Sequence, residues 1–212
     1  MSGQVVGIDL AEEAIEHARQ AGRHRGDQHT RFEVGDVFEM EAELGQFDVV
    51  HAHQVLQHLP DPVALLQLMG RLCAPGGIVV AREADYGAMA WYPESPGMEL
   101  WRSVYCQAAR AHGGEPDAGR RLRSWCLQAG LSILTAGGSS WTYASEESTS
   151  WWGESQAQRV LGSNFASRAA SRGITADQLN SMAEDWRAWG QHPAAWFMLP
   201  HGEVIASPKP SC

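Results

Sequence analysis

Between residues 3 and 85, short apolar runs alternate with amphipathic stretches at close spacing, and this alternation leaves few architectures open. A strand, a helix and a second strand in succession form the unit that builds parallel sheets, because antiparallel neighbours need only a tight hairpin. Val5-Val6-Gly7-Ile8-Asp9 reads as a short buried strand. A helix over about Ala11 to Ala21 follows, with Ile15 and Ala18 on its inner face and Glu12 and Glu13 in its first turn, where acids suit the positive end. Arg31 to Val34 is a second strand, ended by Gly35-Asp36, and Phe47 to His51 is a third. Asp61-Pro62 starts a helix, with a capping carboxylate followed by proline at the first helical position. Val63, Leu66, Met69 and Cys73 recur at helical spacing, and Pro75-Gly76-Gly77 then turns the chain into Ile78-Val79-Val80-Ala81. The pattern predicts an α/β protein with a doubly wound, mostly parallel sheet.

The second half changes character. Ser95-Pro96 opens a helix carrying Trp101, Tyr105 and Ala108 and ending near Gly113; another spans about Asp117 to Ala129, stopped by Gly130. Leu131 to Tyr143 alternates as a strand. Glu146 to Gly190 is helical, broken at Gly173, and Thr175 with Gln178 forms a capping box for the last helix. Phe197 to Ile205 is a final strand, which Pro200 places near an edge or at a bulge. The reading is one domain over residues 1–206, with residues 1–90 on one side of a site, residues 91–206 supplying a helical cap on the other, and a loose tail at 207–212.

Composition narrows the chemistry. Sixteen basic against twenty-five acidic residues leave a formal charge of −9, which argues against a nucleic-acid backbone as partner. Lys209 is the single lysine, so there is no P-loop Gly-Lys-Ser/Thr, no core lysine for a Schiff base and no Tyr-x-x-x-Lys pair. None of the four cysteines forms a Cys-x-x-Cys pair, which argues against a zinc site and for reduced structural thiols in a cytoplasmic protein. No apolar run reaches membrane-spanning length, and no secretory signal opens the sequence. The expected partner is a small molecule, with no metal; the oligomeric state stays open.

Ligands of doubly wound sheets bind outside the carboxyl ends of the strands. Asp9 stands at one such end and, when ionised, accepts from a diol; it reads equally as a helix cap. Asp36 follows the second strand, where a carboxylate can accept from an adenine amino group while Val37 packs on the ring; alone, Gly35-Asp36 is also a common turn. His51 and His53 share one face of their strand, a placement read as pocket-lining or hydrogen-bonded rather than metal-binding.

Together these segments resemble the class I S-adenosylmethionine-dependent methyltransferases, most closely the group that includes the ubiquinone and menaquinone biosynthesis methyltransferases. Val5-Val6-Gly7-Ile8-Asp9-Leu10 with Glu12-Glu13 is similar to that family's second strand and helix, and Gly35-Asp36 to its adenine-side motif. Phe47 to Pro62 and Ala74-Pro75-Gly76-Gly77 are similar to its fourth- and fifth-strand signatures. The resemblance is close over residues 3 to about 85 and loose beyond. It implies a Rossmann-like fold, S-adenosylmethionine as cofactor, and methyl transfer to a small molecule. It places Asp9 and Leu10 at the ribose, Asp36 and Val37 at the adenine, and His53 and Gln54 near the methionine end or the reacting methyl. Glu83, Tyr86 and Trp91 fall where the family builds its substrate wall: Glu83 to bind a cationic acceptor, Tyr86 to hold or deprotonate one. Read from the residues alone, a packed loop with a solvated acid is the slightly favoured reading. Trp151-Trp152 and Trp186-Trp189 read mostly as cap-to-sheet core, with an aromatic-lined pocket as the rival.

The family opens with a helix and a central strand ending in a Gly-x-Gly-x-Gly loop. This sequence begins at the element similar to the second strand. The expectation is therefore a sheet lacking its first strand and glycine-rich loop, with weak or no cofactor binding by the 212-residue form. A non-catalytic relative that acts by binding stays open, as does a nucleotide-dependent dehydrogenase; the absent Tyr-x-x-x-Lys pair and the Pro-Gly-Gly turn argue against the dehydrogenase.

Overall fold

The computed structural model describes residues 3–209. Its elements run β1 (Val5–Asp9), α1 (Glu12–Arg25), β2 (Thr30–Val34), α2 (Val37–Leu44), β3 (Phe47–His53), α3 (Pro62–Arg71), β4 (Cys73–Ala84) and β5 (Ala90–Tyr92). After them come α4 (Pro96–Ala111), α5 (Leu122–Gln128), β6 (Leu131–Tyr143), α6 (Glu146–Leu161), α7 (Ser163–Ala170), α8 (Ala176–Gly190) and β7 (Trp196–Pro208).

The α/β class is as expected, but the sheet is mixed rather than mostly parallel. β1 pairs β2 and β3 pairs β4 in parallel, whereas β4, β5 and β6 all pair β7 antiparallel. The cap explains the reversal. Three helices, α6 to α8, separate β6 from β7 and bring the chain back to the end of the sheet it left, so β7 descends beside the strand that rose. β1 and β2 form a pair of their own, apart from the five-stranded sheet ordered β3-β4-β7-β5 with β6 also on β7. The pair joins the larger body through α2: Val37 and Leu44 pack against its buried cluster, and Arg71 holds Glu41 at 2.6 Å.

β7 is the hub of the sheet, which corrects the edge position inferred from Pro200. The proline is tolerated because it falls in the gap between two partners. β4 pairs β7 down from His201, β5 pairs it up from Met198, and the Pro200 carbonyl accepts from the Asp85 N–H at 2.9 Å. The tail is also corrected: Ser207 and Pro208 belong to β7, paired with Ser132 and Leu131, while residues 210–212, Cys212 among them, lie outside the described residues.

Alternation along β7 feeds two cores. Val204 and Ala206 face the cluster built from α3, α5 and β4, with Leu66, Leu68, Val79 and Leu122. Phe197 and Leu199 point the other way, into a cluster of cap residues that includes Trp101, Trp152, Trp186 and Trp189. Cys73, Cys106 and Cys126 are free and buried.

Several local signals act as read. Asp61 caps α3 by accepting from the Ala64 N–H at 2.9 Å, and Gly130, at φ +82°, follows the end of α5. Thr175 and Gln178 satisfy each other's backbone N–H groups at 3.2 and 2.9 Å. Thr175→Ala therefore removes one of these bonds and is expected to cost about 1 kcal/mol, read from the urea midpoint at unchanged slope. The helix α2 and the short strand β5 were not anticipated. For α2 a signal existed: Asp36 with Glu39 three residues on is a capping pattern, and Asp36 does accept from the Phe38 N–H at 2.9 Å.

Candidate functional site

The carboxyl ends of β1 and β2 lie side by side, in a register that sets Asp9 opposite Val34. Asp9 uses one oxygen, Oδ1, to accept from the Ala11 N–H at 2.8 Å; Asp36 uses its Oδ1 on Phe38. Asp36 thus caps α2, whereas Asp9 ties the turn that leads into α1, whose N-cap Ala11 has no side-chain cap; the other oxygen of each aspartate has no hydrogen-bond partner among the described residues. Capping and ligand binding do not compete, because an ionised carboxylate has about four acceptor sites. Val37 is half-buried beside Asp36, and Leu10 is 72% exposed.

The end of β3 is built differently. Gln54 follows it with φ +56°, a left-handed conformation that costs a non-glycine residue about 1 kcal/mol. The reward is local: Val55, Leu56 and Gln57 then aim three successive N–H groups at one carboxylate. That carboxylate is Glu83, fully buried, accepting from Val55 and Leu56 at 2.9 Å and from Gln57 at 3.2 Å. Burial pushes the Glu83 carboxyl up to about 7, against the three N–H donors, which favour the ionised form. The Gln54 side chain donates from Nε2 to His201 Nε2 at 2.9 Å. His201 is 2% exposed, and burial together with the nearby Arg82 charge lowers it to about 4, so it is a neutral acceptor.

Gln54 opens onto a cavity of about 1030 Å³ between the sheet and the cap. Nine aromatic side chains line it, among them Tyr86, Trp101, Tyr105, Trp141 and Trp152. The aromatic-walled reading of the tryptophans therefore holds for Trp101, Trp141, Trp151 and Trp152, while Trp186 and Trp189 are core. Tyr86 stacks on Tyr105 with ring centroids 4.3 Å apart. Burial pushes both phenols above their ordinary value, and the contact with Tyr105 raises Tyr86 further, so near neutral pH they offer O–H donors rather than phenolate bases.

Of the residues singled out in the sequence, Gln54 and Tyr86 meet at this cavity. Asp9, Leu10, Asp36 and Val37 gather at the β1 and β2 tips and do not line it. His53 lies beside the cavity, on the sheet, with its Nε2 2.8 Å from Arg82 Nη1 and its ring edge-on to Trp141. Burial and the Arg82 charge lower His53. Two substrate-side expectations change. Glu83 faces away from the cavity and holds the β3 turn, because its strand alternation points it into the buried side with Ala81. Trp91 does not line the cavity; it stacks on Phe197 at 6.2 Å with the Arg102 guanidinium 4.9 Å over its ring. Residues not anticipated are Gln57, Arg159 and Arg168, on separate elements that only the cap brings together. Among the described residues no group of three His, Cys, Asp or Glu is placed to hold a metal, and no helix is long and apolar enough to cross a membrane.

The sequence model of the methyltransferase domain matches residues 1–146. The chain belongs to the class I S-adenosylmethionine-dependent methyltransferase domain family. It is 30% identical to an uncharacterized methyltransferase of Schizosaccharomyces pombe, over 96% of this chain and 75% of that protein. It is 40% identical to the ubiquinone biosynthesis O-methyltransferase of Bordetella pertussis, but over only 36% of this chain and 32% of that one. That second match is short, so it carries the family relationship and not the substrate. A methyltransferase structure from Bacillus halodurans superposes with a TM-score of 0.56 at 14% identity, covering 97% of this chain and 84% of the other; the likeness is one of fold. The family uses S-adenosylmethionine.

Proposed function

We propose that this domain binds S-adenosylmethionine over the tips of β1 and β2 and transfers its methyl group to a small molecule held in the cavity beyond Gln54. The observation that carries the reading is the pair Asp9 and Asp36 on adjacent parallel strand tips, each with one oxygen spent on a backbone N–H two residues on and one without a partner among the described residues. Two acceptors on neighbouring strands suit one adenosine, Asp9 taking ribose hydroxyls and Asp36 the adenine amino group, with Val37 against the ring face and Leu10 beside the sugar. Gln54 and His53, after the next strand in sequence, fall toward the methionine end.

When bound, the cofactor supplies an electrophilic methyl group on its sulfonium. The chain's own contribution is positioning, since a direct displacement depends on in-line geometry. The aromatic walls exclude water and orient a flat acceptor, and the Tyr86–Tyr105 pair offers hydroxyl donors at the cavity surface.

Among the described residues β1 pairs with β2 alone, and β3 with β4 alone, so each presents one open edge. Those edges support a sheet completed by a further strand between them, and hence weak cofactor binding by this chain alone. Equal micromolar affinity for this chain and for a form carrying an added upstream strand would overturn that part.

Calorimetry with S-adenosylhomocysteine and with NAD tests the main reading. S-adenosylhomocysteine is expected to bind and NAD to give no heat. Asp9→Asn keeps an oxygen for the Ala11 N–H but loses the charge, and is expected to weaken binding about tenfold. Heat from NAD alone, or an unchanged Asp9→Asn affinity, would remove the assignment.

A further inference from the structure

The cavity is acid-free in an acid-rich chain. Asp and Glu number 25 in the sequence, yet none lines the cavity, whose charged side chains are Arg159 and Arg168. Neither arginine forms an ion pair with a carboxylate among the described residues, whereas Arg82, Arg102, Arg110, Arg120 and Arg187 all do. The two come from different helices of the cap, Arg159 from α6 and Arg168 from α7, and converge on the same space. Both charges act on the buried Tyr105, and Arg168 also helps hold His58 below its ordinary value.

Beside them are polar atoms with nothing to bond. Trp152 is 6% exposed and its Nε1–H has no partner among the described residues; Gln57 is 3% exposed and its Oε1 has none there either. Both residues line the cavity, and the Arg159 guanidinium stands 5.9 Å over the Trp152 ring. An aromatic box without charges would suit a cation as well as a flat neutral ring. Two unpaired guanidinium groups on the wall, with no carboxylate to offset them, oppose a cation and favour an anion.

We propose that the methyl acceptor is a flat, ring-bearing molecule with an anionic group, its rings between the aromatic walls and its anion against Arg159 and Arg168. This rests on the cavity being the acceptor site of the proposed methyl transfer. It excludes amines and other cationic acceptors, and it assigns discrimination to the cap rather than to the sheet.

The test uses three probes of one shape: anthracene-2-carboxylate, anthracen-2-ylmethanol and anthracen-2-ylmethylammonium. Binding to the full chain is followed by quenching of tryptophan fluorescence at low salt, with no cofactor added. The carboxylate is expected to bind about tenfold tighter than the alcohol, and the ammonium more weakly still. Arg159→Gln with Arg168→Gln should abolish the carboxylate's advantage while leaving the alcohol's affinity unchanged. Retained alcohol binding also shows that the double variant is folded. Equal or tighter binding of the alcohol or the ammonium, or an advantage that survives the double substitution, would overturn the proposal. Calorimetry with S-adenosylhomocysteine on the same samples separates the two claims. Carboxylate preference without S-adenosylhomocysteine binding would remove the cofactor site proposed at the β1 and β2 tips of this chain and leave the anion site standing.

Discussion

Glu83→Ala is expected to destabilise the protein by about 3 kcal/mol, because two buried N–H groups and the part-buried one of Val55 would lose the acceptor they share. The strained Gln54 turn would lose its anchor as well, so the effect should spread into the β3 end and the cavity wall. Glu83→Gln is milder, since its amide oxygen can still accept from Val55 and Leu56, while its NH₂ faces the Gln57 N–H. Denaturant titration of the three proteins checks the order wild type, Gln, Ala.

The same residue sets a pH dependence. Between its unfolded value of 4.5 and its folded value of about 7, the native state holds a proton on Glu83 that the unfolded chain has released. Its contribution is fully present below 4.5 and is lost as pH rises through about 7. His201 acts with the opposite sign: its value falls from 6.5 to about 4, so its contribution is present above 6.5 and is lost as pH falls toward 4. Each slope is about 1.4 kcal/mol per pH unit at most, and from 4.5 to 6.5 the two cancel. Glu83→Gln removes one of them. Its stability should then rise between pH 4 and 6.5 more steeply than that of the wild type, seen in midpoints measured across that range. Parallel curves for the two proteins would show that Glu83 stays ionised throughout.

Gly202→Ala is the second large effect, at about 3 kcal/mol or more. A methyl group at Gly202 would be driven into the backbone of Gly119, and one at Gly119 would come within 2.8 Å of the Glu83 carbonyl oxygen and of the Gly202 N–H nitrogen. The contact is backbone on backbone, so no side chain can swing aside. It seats the turn over Gly119–Arg121 against β4 and β7, where Arg120 clasps the buried Asp85 with both nitrogens at 2.6 Å. Gly137→Ala is the control, because a methyl group there meets nothing within 4 Å. A loss of thermal midpoint confined to Gly202→Ala checks the argument; equal midpoints for the two variants would refute it.

Local chemistry explains how far the sequence could be read. Strand-helix alternation, the Asp61-Pro62 start, the Thr175–Gln178 box and the Leu131–Tyr143 strand depend on neighbours within a few residues, and each forms where those neighbours place it. The strand-tip position of Asp9 and Asp36 is legible for the same reason, being fixed by the parallel pairing that alternation imposes. Glu83 shows the limit. Nothing in Ala81-Arg82-Glu83-Ala84 tells which face of β4 meets a left-handed turn 28 residues earlier, so a buried anchor read as a substrate contact. Trp91 is likewise placed by a distant contact, since its partner Phe197 arrives from the far end of the chain.

By itself the sequence determined the class of fold, the presence and order of most elements and the two carboxylates at neighbouring strand ends, because backbone periodicity and capping are short-range forces. Tertiary structure alone decided that β7 lies at the centre, that Pro200 fits a gap between partners, and that Arg159, Arg168, Gln57 and Trp152 share one cavity. Those outcomes depend on which distant surfaces are buried against each other, and burial is a property of the packed chain rather than of any segment within it.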